Sequence, residues 1–581
     1  MTTLDFNSGL LRDLGLQIKD VRGGVAASQP GALAFPAPRP YGLIFTAPAG
    51  AIENLVGGQL KHDGGVVLAW DGGSSSLVGF EIRPGKEPMT LDVFDAQGEH
   101  VFIADHMHFK LDRESGVLRM FNLDLRLTAN FAKRMGEPRF AGLAVAQMAI
   151  QTTIEQRIGE NDLLGGCGPA IWPGTPRPSG GVYEADVLFT GLTSIQQMAR
   201  GKVNFAACDA DPTTCFVVVA PSSTLQAGGT ADVPWYQKNT GSFPPYNNDQ
   251  HPYLIWSIYR LKDGAFEQLA TSGVKHAFLT INSGCGCASG HILWAPNGEP
   301  GHPAVGCSDT YGTGTNNSSG SQGLRSKINP FTGIWTNSGD DFTSFDNPRD
   351  RRLGVRESDL GQSGAQYFFD SWYVVREDIN IFNTMAWRQL NPTFGGSTWT
   401  FSAVTAQAAG PAVDGWVNPA NPGAGNDTDR VVTDSGHLTV AVKTTDVGGG
   451  VTHFEYAVYN HDFYRKVKSF EVPIPPGATV TNLGFHDIDD NPSTDWTASV
   501  LAGRIVFEAP VGNELDWGVL YNFRFDVDAT AAQGQLTMGV GNPGSSPNIL
   551  MQTLVPNAAA AGIYSDGFES GNTSAWSVAT P

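Results

Sequence analysis

The run His437-Leu438-Thr439-Val440-Ala441-Val442-Lys443, a turn at Gly448-Gly449-Gly450, and then Thr452-His453-Phe454-Glu455-Tyr456-Ala457-Val458-Tyr459-Asn460 sets the fold class. Successive side chains of an extended chain point to opposite faces, so an apolar residue at every second position gives a strand one hidden face. The same alternation returns at Phe470-Glu471-Val472-Pro473-Ile474, Arg504-Ile505-Val506-Phe507, Tyr521–Val527 and Gln535–Val540. Six such strands joined by short turns predict a two-layer antiparallel sandwich of Ig-like type over 411–557.

Working outward, residues 41–156 read as a second β domain. Leu91–Asp95, Val101–Phe109 and Val117–Phe121 are strands separated by turns at Ala96–Glu99 and Arg113–Gly116. A short helix is expected over Thr128–Arg134, and a returning strand over Leu143–Ile150. Residues 157–410 form an irregular, cysteine-bearing centre with strands at Cys215–Val219, Tyr253–Leu261 and His276–Ile281, and a long polar loop over Gly312–Gly323. Residues 1–40 read as an amphipathic piece, Leu10–Leu16, and a Pro-rich stretch that is a linker or an arm lying across a neighbour. Residues 558–581 read as a tail. The expectation is an all-β chain of several antiparallel sandwiches with a disulfide-stapled centre.

Composition agrees. Of 581 residues 41% are hydrophobic and 16% charged, with 70 Gly, 36 Pro and 32 Phe, which suits short strands and tight turns. The formal charge of −20, from 37 basic and 57 acidic residues, repels phosphate backbones and anionic membranes, so nucleic acid is not an expected partner. No run of 18 or more apolar residues occurs, so no membrane span is expected.

The six cysteines are Cys167, Cys208, Cys215, Cys285, Cys287 and Cys307. Their even number and the short loop between Cys208 and Cys215 predict a disulfide there and a secreted or cell-surface location. The pairing of the other four is left open. The competing reading is zinc at Cys285-Gly286-Cys287, His291 and Cys307. Met1-Thr2-Thr3-Leu4, running into Asp5 and Phe6, is no signal peptide. The cysteines outweigh this, so the N-terminus reads as trimmed.

Several stretches carry a resemblance. Asp249-Gln250-His251-Pro252, Ile255–Leu261, Gly273–Phe278, Gly306–Tyr311, Asn482–Asp487 and Leu520–Asp526 resemble a family of exported bacterial proteins of uncharacterised function. Asp566-Gly567-Phe568-Glu569-Ser570-Gly571 is similar to a C-terminal sequence of secreted bacterial proteins. The resemblance implies export and assigns no catalytic residue.

Four constellations are candidates for chemistry. Asp487, Asp489, Asn491 and Asp495 place oxygens along a loop in a spacing that suits calcium, although Pro492 and Ala498 stand where an EF-hand needs Gly and Glu; capped turns are the plain alternative. His106 and His108, two apart on one expected strand, share a face and can reach one metal, with Asp105 facing away; a solvated face is the alternative. His251, His276, His291, His302 and Asp309, with Lys275, suit an acid–base or metal site, or a purely structural role. Trp372, Tyr373, Trp387, Trp399 and Trp416, amid Gly, Asn and Pro, suit stacking on sugars, or core packing. Gly539-Val540-Gly541-Asn542-Pro543-Gly544 opens no helix and is not a dinucleotide site. The functional expectation is an extracellular binding protein for a polymer or surface ligand, with calcium as a structural ion. The alternatives are a secreted metal-dependent hydrolase and a self-assembling sheath or filament subunit.

Overall fold

The computed structural model describes residues 1–26, 31–37, 42–46, 54–87, 89–112, 117–153, 171–177, 181–204, 206–209, 211–235, 252–276, 280, 283–285, 302–335, 344–347, 349–489 and 491–557. The chain is all-β, in two compact units. The first comprises Met1–Asp263 and Gln268–Gly415; the second comprises Gly264–Glu267 and Trp416–Pro581.

The second unit contains the expected sandwich. One five-stranded sheet runs Asn426–Thr433, Gly436–Gly448, Val451–Asn460, Val519–Val527, Val480–His486. The other runs Thr497–Leu501, Arg504–Glu508, Val467–Pro473, Thr530–Val540, Asn548–Asn557. Their inner faces share one core, with Leu438, Val440, Tyr456 and Phe523 from the first sheet and Phe470, Phe507 and Met538 from the second. Phe523 is its hub, 4.5 Å from Phe470, 5.1 Å from Phe507, 5.3 Å from Trp496 and 5.4 Å from Phe485, ring centre to ring centre.

The first unit carries two large antiparallel sheets. The eleven-stranded sheet draws on residues 2–153. The start of the chain is not an arm: Thr2–Phe6 pairs with Ala144–Thr153 on one side and Leu33–Phe35 on the other, while residues 38–40 of the Pro-rich stretch lie outside the described residues. Its alternating Thr2 and Leu4 are buried, and the helix Ser8–Asp13 buries Leu10 and Leu11. The helix Ala129–Arg134 forms where expected, with Thr128 accepting the Phe131 N–H at 3.2 Å.

The twelve-stranded sheet runs Ser308–Tyr311, Phe216–Ala227, Val187–Gly201, Trp399–Ala403, Met385–Phe394, Gln366–Val374, Tyr253–Lys262, Val274–His276, Gln322–Gly323 along its main path. The Gly312–Gly323 stretch is also corrected. It holds a short helix, Thr313–Asn316, with Thr313, Thr315 and Asn316 buried. Asn316 anchors it by donating to the Pro221 and Tyr311 carbonyls at 2.9 and 3.1 Å.

Two disulfides are described. Cys208–Cys215 is the expected bridge, with Cα atoms 5.6 Å apart. Cys285–Cys307, with Cα atoms 4.6 Å apart, overturns the zinc reading at those two cysteines. Cys167, Cys287 and His291 lie outside the described residues, as does the tail. Among the described residues no helix is long and apolar enough to cross a membrane.

The aromatic hub of the sandwich predicts a large cavity effect. Phe523→Ala should destabilise the second unit by about 3–5 kcal/mol, read as a lower denaturation midpoint by tryptophan fluorescence. A loss below about 1 kcal/mol would show that the hub is not central to that core.

Candidate functional site

Of the residues flagged for chemistry, Asp105 and His106 meet in an ionic group at the seam between the two large sheets of the first unit. The cause is local. The expected strand Val101–Phe109 is broken into His100–Asp105 and His108–Asp112, both paired to Val117–Leu127. At the break His106 has φ +58°, and across from it Asn122 has φ +60°. His and Asn tolerate this left-handed conformation better than most residues. The break suspends the alternation, so Asp105 does not face away from His106. Its carboxylate lies 3.0 Å from His106 Nδ1.

A compact ionic group results. Arg126 donates to both oxygens of Asp105 at 2.8 and 3.0 Å, and to Asp124 Oδ2 at 3.1 Å. Asp124 is fully buried. It also lies 3.7 Å from His106 Nδ1, and it accepts the Gly314 N–H at 3.1 Å and the Thr313 hydroxyl at 3.3 Å. Asp124 therefore caps the helix Thr313–Asn316 from another sheet, 190 residues away in sequence. The approach is so close that a Cβ on Gly312 or Gly314 would strike the Asp124 carboxylate, and on Gly312 also His106 Nδ1. Gln196 extends the seam by pairing with both the N–H and the C=O of Ala144, at 3.1 and 3.0 Å.

Burial disfavours the charged imidazole of His106, but the hydrogen bonds and charges of Asp105 and Asp124 outweigh it and push its pKa up to about 9. Burial likewise opposes the Asp105 carboxylate, yet His106 and Arg126 hold it below its ordinary value. Asp105, His106 and Asp124 have the spacing of a metal group. Here the imidazolium and guanidinium already balance the two carboxylates, and a cation would have to displace a proton and a well-bonded Arg126. Cys208, Cys215 and Glu357 also cluster. There the sulfurs are joined as a disulfide, and Glu357 accepts from Arg200 at 2.8 and 2.7 Å and from Trp399 Nε1 at 2.8 Å.

His108 does not join His106 on one metal. It lies beyond the break, fully buried, stacked on Tyr311 with ring centres 5.5 Å apart, with Nε2 3.7 Å from Asp309 Oδ1. Neither ring nitrogen has a hydrogen-bond partner among the described residues. The central histidines disperse. His276 is buried with Nε2 3.4 Å from the Gly320 carbonyl. His302 packs on Trp172 and lies 3.5 Å from Asp232. His251 lies outside the described residues.

The aromatic set is not a sugar-stacking surface. Trp372, Tyr373, Trp399 and Trp416 are buried, Tyr373 donates to the Ser223 carbonyl at 2.8 Å, and the half-buried Trp387 packs on Phe368. In the 487–495 loop, Asp487 and Asp489 accept the N–H groups two residues on, at 2.9 and 2.6 Å, and Asn491 accepts the Ser493 N–H at 3.2 Å. These are successive Asx turns. Asn513 Nδ2 binds the second Asp487 oxygen at 2.7 Å. Among the described residues this loop brings no three acidic or imidazole groups together.

Sequence reasoning missed Asp124, Arg126, Tyr311 and Gln196. A signal existed for the first two: Asp124 and Arg126 are charged residues inside an apolar strand, two apart and so on one face.

The His106 pKa gives a signed prediction. A group raised in the folded state stabilises fully below its unfolded pKa and loses that contribution as pH rises through the folded value. A rise from 6.5 to about 9 corresponds to on the order of 3 kcal/mol. The wild-type melting temperature should therefore fall from pH 6.5 to 9. In His106→Asn, which keeps a residue tolerant of positive φ, the slope over that window should flatten. Equal slopes in the two proteins would refute the ionic role.

No protein-family model matches the chain, and no curated protein matches it in sequence.

Proposed function

We propose that the chain is an exported, non-catalytic β scaffold that holds a protein partner by strand addition to its C-terminal sandwich. The observation that carries this reading is the edge strand Thr497–Leu501. All five residues are exposed, Val500 and Leu501 at 46% each. Folded proteins blunt such edges with charge, Pro or a bulge. Thr497-Ala498-Ser499-Val500-Leu501 has no charge and no Pro, and it pairs with Arg504–Glu508 without a register shift. The edge strand Val480–His486 of the other sheet is blunted in the usual way, with a shift between Thr481 and Gly484 and φ +51° at Asn482.

An extended segment laid on this edge gains a ladder of main-chain hydrogen bonds and apolar contact with Val500. A second copy of the same strand, antiparallel across a two-fold axis, is the partner of defined sequence. A five-residue edge supports weak, concentration-dependent association. Export is supported by the disulfides, which persist in oxidising compartments, and by the resemblance to exported bacterial proteins. The non-catalytic reading is supported by the seam, where Asp105, Asp124, Arg126 and His106 hold one another and the backbone.

Sedimentation equilibrium tests this. The apparent mass should rise with protein concentration in the wild type and stay monomeric in Val500→Lys, which places a charge on the open edge without touching the core. A wild type that stays monomeric up to about 1 mM would overturn self-pairing.

A further inference from the structure

One buried cluster does not serve the seam. An amine and a carboxyl of the twelve-stranded sheet, met by an imidazole of the eleven-stranded sheet, are enclosed by aromatic rings. Lys275, on Val274–His276, is 1% exposed, and its Nζ lies 2.8 Å from the centre of the Tyr311 ring. Asp309 lies two residues before Tyr311 on the strand Ser308–Tyr311, and the burial alternation puts both on the inner face. Its charge acts on the Lys275 amine. His108 approaches Asp309 from the other sheet, 3.7 Å from Nε2 to Oδ1, and stacks on the same Tyr311 ring. Trp235 closes the cage, donating from Nε1 to the Tyr311 hydroxyl at 3.1 Å, and Tyr373 is buried beside Trp235 with ring centres 6.0 Å apart.

An ammonium and a carboxylate in water do not condense, because solvation holds both in their charged, unreactive forms. Burial removes that hold. It drives the Lys275 amine well below its ordinary pKa, against the opposing pull of Asp309. An uncharged amine is a nucleophile, and an uncharged carboxyl is an acyl donor whose carbon it can attack. A water-poor cage also lets the released water escape and leaves little to reverse the reaction.

We propose that Lys275 and Asp309 are joined by an intramolecular amide cross-link, with His108 as the proton carrier. The Lys275 nitrogen lone pair forms a bond to Cγ of the protonated Asp309 carboxyl, giving a tetrahedral adduct. His108 Nε2 takes a proton from the nitrogen and returns one to a departing hydroxyl. The C–O bond breaks, one water leaves, and no group is oxidised or reduced. Two buried ionisable groups become one neutral amide, which removes their desolvation penalty.

The link has an architectural consequence. Ser308–Tyr311 begins the strand order of the sheet and Val274–His276 lies next to its other end. An amide between them closes the sheet covalently, and the Cys285–Cys307 disulfide lies within the same loop of chain. The proposal does not depend on the strand-addition reading.

The test is the intact mass of the reduced, denatured full chain, followed by tryptic mapping. The expected result is a mass one water below that of the sequence, with a branched peptide joining Lys275 to Asp309 and no cleavage after Lys275. Lys275→Arg and Asp309→Ala should have their full sequence masses. Asp309→Asn should form the same branched peptide with loss of ammonia instead of water. In His108→Ala, cross-linked protein should drop at least tenfold; cross-linking at the wild-type level would remove His108 from the step. If a variant does not fold, the wild-type measurement stands alone. A full-mass wild type with separate linear peptides overturns the cross-link.

Discussion

The carboxylate of Asp124 is the constraint around which the first unit is arranged. A fully buried carboxylate is tolerated only when its oxygens are answered by donors and its charge by cations. Arg126, His106 and the Gly314 N–H supply these. Each donor carries structure with it. Arg126 holds Asp105, His106 requires the break in its strand, and Gly314 brings the Thr313–Asn316 helix against the N-terminal sheet. That helix follows directly on Tyr311, so the position of the aromatic cage depends on the same carboxylate.

The rest of the seam follows the same logic with neutral groups. Gln196 substitutes for a missing strand neighbour at Ala144, and Asn7 donates to the Met198 carbonyl at 2.6 Å. Buried polar networks of this kind specify one arrangement of two sheets where apolar packing alone would allow several. They also take up the ionisable side chains of Asp105, His106, Asp124 and Arg126. The Lys275, Asp309 and His108 cluster differs in kind, because its surroundings are rings, and that difference makes condensation chemistry available to it.

The second unit rests on a different device. Its core is a cluster of rings around Phe523. Its edge strand Thr497–Leu501 is exposed along its whole length.

The sequence by itself determined the strands of the sandwich, the helix at Thr128–Arg134, the strands from Phe216 and Tyr253, and the Cys208–Cys215 bridge. These are local properties: a period of two is imposed by the geometry of the extended chain, and an eight-residue loop closes easily. Two of the corrected readings show a local pattern overridden. Val101–Phe109 looks like one strand, but a left-handed His106 breaks it and reverses the facing of Asp105. Gly312–Gly323 looks like a free polar loop, but Gly312 and Gly314 let its backbone approach the Asp124 carboxylate. The tertiary structure alone decided which groups meet, because Asp124 with Gly314, His108 with Asp309 and Lys275 with Tyr311 are brought together by strand order and sheet packing, which leave no periodic trace in the residues between them.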